Sequence, residues 1–161
     1  MDVFQFAMKA EKDGEKYYRD LAAKSPDTGL ATILRMLADA EVTHYNTLKE
    51  MAEGTDPLVS ETTLLAKVKN VFVRMRNEKK TFDFNVSQID LYKKAQDLEK
   101  KSQEFYLQRA DIAESRAQRE LFVRLAREER EHWVILQNLI EFLSTPTTWL
   151  ENAEWHHLDE Y

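Results

Sequence analysis

Ala40-Glu41-Val42-Thr43-His44 and Glu129-Arg130-Glu131-His132 share one feature, a Glu three residues ahead of a His. The two Glu-x-x-His units lie 88 residues apart. The same offset carries Glu11 to Glu99, Tyr18 to Tyr106, Leu37 to Leu125, Ala38 to Ala126 and Leu48 to Leu136, with no gap. Glu41 and His44 interrupt an apolar stripe of Leu30, Leu34, Leu37, Leu48 and Met51 at helical spacing. Glu129 and His132 interrupt a second, of Phe122, Leu125, Leu136, Leu139 and Leu143. Residues three and four apart share a helix face, so each Glu and His point inward as a unit. Glu11 falls on the stripe of Phe4, Ala7, Tyr18 and Leu21, and Glu99 on that of Tyr92, Ala95 and Tyr106.

Working outward, four long helices are predicted. The first runs from about Asp2 to Lys24, with Asp2 and Gln5 placed as a capping box. The second starts at Ser25-Pro26, a cap residue followed by Pro in the first turn, and runs to about Glu53, where Gly54 ends it. The third runs from near Ser87 to about Ala113. The fourth runs from near Ser115 to about Leu143 and is stopped by Thr145-Pro146. Very short turns make the first pair and the second pair antiparallel hairpins. The stretch from Thr55 to Val86 is too long for a bare loop, and Leu64 to Glu78 has helical character. The fold class expected is all-α, a ferritin-like four-helix bundle of two antiparallel hairpins joined by a long crossover containing a short helix. Residues 1–145 form the bundle. Residues 146–161, with Trp149 and Trp155, form an aromatic tail expected to dock on the bundle or on a partner subunit.

The levels of the acidic residues agree. Glu11 and Glu41 are 30 residues apart with Pro26 midway, and Glu99 and Glu129 are also 30 apart, centred beside Ser115. Folding each hairpin at its turn brings both members of a pair to one height, about 22 Å from the turn at about 1.5 Å per residue. Four carboxylates and two imidazoles then share one layer. Such a layer is very unfavourable without cations, because each ion loses hydration and like charges repel. Oxygen and imidazole donors without thiolate suit iron or manganese and admit zinc. A Glu from each of two helices plus a Glu-x-x-His from each of the other two is the di-iron carboxylate pattern. Tyr18 and Tyr106 need partners for their buried hydroxyls, and a carboxylate of this layer is in reach. Glu15, Glu128 and Glu131 sit one step off the stripes and are expected to be solvated or to back up the metal-facing residues. His156 and His157 are expected at an interface.

Composition limits the alternatives. The 161 residues carry a net charge of −6, which disfavours nucleic acid as a partner. No Cys is present, so disulfides, Cys-ligated metals and thiol catalysis are excluded within these residues. No apolar run approaches membrane-spanning length, and the first residues lack the pattern of a signal peptide. No membrane partner and a cytoplasmic location are therefore the expectation.

The segments Ala10 to Tyr18, Ala40 to His44, Leu98 to Tyr106 and Glu129 to His132 resemble the rubrerythrin-like branch of the ferritin-like di-iron carboxylate superfamily. The tail segment Glu151-Asn152-Ala153-Glu154-Trp155 is similar to that branch as well. The resemblance implies two iron ions per chain, held by Glu11, Glu41, His44, Glu99, Glu129 and His132. It implies an oxidoreductase that reacts with peroxide or dioxygen; Fe(II) oxidation for iron handling or storage is the alternative. A homodimer is implied, with helices exchanged in some members. Two departures are visible. Rubrerythrins proper carry a Cys-ligated rubredoxin domain, so here a separate protein is the expected electron donor. They also carry an extra Glu, linked to movement of one iron during redox change, where this sequence has Ser102.

Overall fold

The computed structural model describes residues 2–25, 27–55, 57, 64–78 and 88–145. Five helices and no strands occur among them: α1 Val3–Lys24, α2 Thr28–Ala52, α3 Leu64–Asn77, α4 Gln88–Asp111 and α5 Arg116–Ser144. α1 opens on the expected capping box, in which Asp2 accepts from the Gln5 N–H and the Gln5 side chain accepts from the Asp2 N–H. The expected cap at Ser25 is corrected. Asp27 caps α2 by accepting from Leu30 N–H at 3.0 Å, while Ser25 closes α1. A carboxylate facing the open N–H groups of a helix start adds charge to the hydrogen bond, which a hydroxyl does not. α2 ends as expected at Gly54, whose φ of +82° reverses the chain so that the Thr55 N–H reaches back to Glu50 O at 2.9 Å. Ser115 caps α5 through Gln118 N–H at 3.1 Å. Ser87, Pro26, Pro146 and the tail lie outside the described residues.

α1 packs mainly on α2, and α4 mainly on α5; α3 lies against α2 and α5. The apolar core falls into two clusters. The larger joins Leu21, Leu34, Leu37, Tyr92, Leu136 and Leu139 with the inner face of α3. The smaller joins Ala7, Leu48, Tyr106, Phe122 and Leu125. Along every one of the four long helices, the acidic and histidine positions of the repeat lie between residues of these two clusters. α5 is buried more widely than its stripe implies. Val134, Ile135, Ile140 and Phe142 are also buried, and Phe142 meets Phe72 of α3 at 5.7 Å between ring centroids. α3 approaches α2 at Gly29, where an added Cβ would come within 2.6 Å of Met75 Sδ. No helix among the described residues is long and apolar enough to cross a membrane.

Candidate metal centre

The six residues singled out by the repeat meet in one layer between the two apolar clusters. Glu11, Glu41, His44, Glu99, Glu129 and His132 are all buried, none more than 4% exposed. They were brought inward by the helical spacing that also buries the neighbouring Leu residues, so the cost of burying them is imposed by the core around them. The imidazoles of His44 and His132 lie almost parallel, with centroids 5.5 Å apart and planes 13° apart.

The donor atoms form two groups. Glu11, Glu41, His44 and Glu129 each offer one atom to the first; Glu41, Glu99, Glu129 and His132 each offer one to the second. Within each group the atoms lie within 4.8 Å of one another. Glu41 and Glu129 belong to both. His44 Nδ1 lies 2.8 Å from Glu129 Oε1 and 3.5 Å from Glu11 Oε2. His132 Nδ1 lies 3.1 Å from Glu41 Oε1 and 3.3 Å from Glu99 Oε1. Despite these close approaches, one buried atom on each of the six residues makes no contact of hydrogen-bond geometry: Glu11 Oε2, Glu41 Oε1, His44 Nδ1, Glu99 Oε2, Glu129 Oε1 and His132 Nδ1. Proteins leave few buried polar atoms orphaned, so six converging atoms of this kind fit cations as their partners.

Neighbours hold the other ends. The Tyr18 hydroxyl donates to Glu99 Oε1, and the Tyr106 hydroxyl donates to Glu11 Oε1, each reaching from one repeat to the other. His44 Nε2 lies 3.2 Å from Glu128 Oε2, the carboxylate–imidazole pairing that commonly orients a metal-facing histidine. Glu15 is turned away, ion-paired with Arg19 at 2.8 Å. Glu41 packs against bare α1 backbone at Gly14, where a Cβ would stand 3.4 Å from Glu41 Oε2.

Electrostatics divides the carboxyls by role. Burial raises Glu41 well above the ordinary carboxylate range, and the charges of Glu11, Glu129 and Glu99 raise it further. Glu129 is raised in the same way by burial, then by Glu99 and Glu11. Burial also works to raise Glu99, but the close approach of His132 and Glu129 and the hydrogen bond from Tyr18 hold it down at about 2. Glu11 is lowered against its burial by hydrogen bonding with Glu41 and by His44. For His44, burial opposes protonation, yet Glu11 and Glu128 push it well above its usual value. The layer thus favours proton uptake over four bare carboxylates. Divalent cations can take the same place.

The sequence matches the Rubrerythrin family over residues 2–140. The chain belongs to the rubrerythrin family. No curated protein and no solved structure matches it. As a rubrerythrin-family chain with a buried carboxylate–imidazole layer, it carries the features of a di-iron protein. The contact that sequence reasoning left open is Glu128. It lies one step off the α5 stripe, and the equivalent place in the first repeat is Ala40, so the repeat itself gave no signal for it. His156 and His157 lie outside the described residues.

Proposed function

We propose that this protein is a non-haem di-iron oxidoreductase reacting with peroxide or dioxygen, with Glu11, Glu41, His44, Glu99, Glu129 and His132 as the ligands of two ions. The observation that carries this reading is the single orphaned buried atom on each of those six side chains. Glu11 and His44 would hold one ion and Glu99 and His132 the other. Glu41 and Glu129 would serve both, since their oxygens belong to both converging groups. Bound iron would supply the electrons for reducing the oxidant.

The remaining work falls to the chain. Tyr18 and Tyr106 fix Glu99 and Glu11 from across the repeat. Their hydroxyls stay protonated, because burial and the neighbouring carboxylates raise them well above the ordinary tyrosine value. Glu128 sets the ring of His44. The two apolar clusters close the layer on either side along the bundle, and its six side chains are buried, so charges in it interact strongly.

The packing preference of α1 for α2 and of α4 for α5 supports two antiparallel hairpins, joined by the crossover that carries α3. Residues 1–145 would form the bundle and 146–161 a tail docked on it or on a second copy. The absence of Cys supports a separate electron-donor protein.

The test is stopped-flow mixing of anaerobic Fe(II)-loaded protein with peroxide and with dioxygen, following ferric absorbance. The reading expects peroxide to oxidise the bound iron faster than dioxygen does. Equal or slower oxidation by peroxide would favour Fe(II) oxidation for iron handling. If neither oxidant outpaces its reaction with free Fe(II), the oxidoreductase reading fails.

A further inference from the structure

A cavity of about 500 Å³ lies between α1 and α4 and reaches the carboxylate layer. Its floor includes Glu41, Glu99 and Glu129. Its walls obey the repeat: Ala7 and its counterpart Ala95, Gly14 and its counterpart Ser102, and Tyr18 and its counterpart Tyr106 all line it. Small residues at four of those six places leave the space open. The two helices meet at two points beside it. Phe6 and Phe105 approach to 5.3 Å between centroids, and the Tyr17 hydroxyl donates to Leu91 O at 2.8 Å.

The size is the first clue. A water molecule fills about 30 Å³ of liquid, and a two-oxygen oxidant needs only about twice that. The cavity is several times larger and falls in the range of about 300–1,000 Å³ typical of organic-ligand pockets. Its chemistry is the second clue. Five of the lining side chains are aromatic: Phe6, Tyr17, Tyr18, Phe105 and Tyr106. Charges are confined to the floor and to exposed Asp13 and Lys101, which occupy equivalent repeat positions with opposite sign. Two divalent ions would cancel the four ligand carboxylates, so neither end calls for a net charge on the occupant. The hydroxyls of Tyr17, Tyr18 and Tyr106 are already engaged. The half-buried Ser102 hydroxyl has no hydrogen bond among the described residues and is free for a guest.

We propose that this cavity binds an uncharged aromatic molecule bearing a hydroxyl or carbonyl group, held between the α1 and α4 rings with its polar group on Ser102. As a substrate class for the neighbouring layer, this rests on the metal-site reading above; as a binding site it stands alone. The probe is 4-methylphenol, with toluene and benzoate as comparisons, titrated calorimetrically into metal-free and Zn(II)-loaded protein. Metal uptake is measured separately by elemental analysis.

The expected result is 4-methylphenol binding with a Kd below about 1 mM. Ser102→Phe should fill the cavity and weaken 4-methylphenol and toluene by about tenfold or more. Ser102→Ala should weaken 4-methylphenol but leave toluene within about twofold, with circular dichroism reporting that both variants fold. The proposal is overturned if 4-methylphenol does not bind, if Ser102→Phe binds it as well as the parent does, or if benzoate binds equally well. Binding without metal uptake would sustain the pocket and sink the metal reading. Uptake of two ions without binding would do the reverse.

Discussion

Burial and neighbouring carboxylates hold Glu41 and Glu129 well above the ordinary carboxylate range, and pH should expose this. Their raised pKa values mean that the folded protein holds protons the unfolded chain releases. The stability they contribute is complete below the ordinary carboxylate pKa of about 4.3 and is lost as pH rises through their raised values. His44, also raised, acts in the same direction. Glu99, held at about 2, acts oppositely, and its contribution is lost only in strong acid. Chelator-treated protein should therefore melt markedly lower at pH 9 than at pH 6, and loaded protein should lose much less; parallel losses would contradict the account. Glu41→Gln keeps a donor toward Glu11 without the charge. It should stabilise metal-free protein at pH 9 by about 1–4 kcal/mol in urea unfolding while lowering metal occupancy. Glu128→Ala should weaken one of two bound Co(II) ions by about 10- to 100-fold, read by competition against a chelator, and spare the other. The six layer residues were legible because each breaks an apolar stripe at a constant offset. Glu128 was not, since its contact with His44 depends on how α2 seats against α5.

The helices were legible in extent because apolar periodicity and caps agree in α1 and α5. The start of α2 was misplaced at Ser25; the folded turn instead puts Asp27 at the cap. The broad burial of α5 was also not foreseen. At Phe142 it follows from α3 packing over α5, a contact between segments with no periodic relation to each other. Phe72 is the anchor of that contact, fully buried and edge-on to Phe142. Phe72→Ala should cost about 3–5 kcal/mol in urea unfolding, because the transfer and cavity terms add. A loss under about 1 kcal/mol would show that α3 contributes little to the core.

On the scale of the whole molecule, the layer splits one core into two and makes metal binding a part of folding. A ligand bound only by the native state stabilises it by mass action. The tail, residues 146–161, is proposed to cover apolar surface on the bundle or on a second copy. Exposed Phe6, Leu107 and Ile112 are candidates for such surface. Deleting residues 147–161 should cause aggregation or dissociation of a dimer in light scattering; an unchanged soluble oligomer would remove the tail from the assembly. The central claim, that two ions occupy this layer, is tested most directly by anaerobic Fe(II) titration of the folded, metal-free chain. The account predicts saturation at two Fe(II) per chain, with neither ion retained at normal affinity when Glu41 or Glu129 is replaced. Saturation at one or none in protein shown to be folded would contradict it.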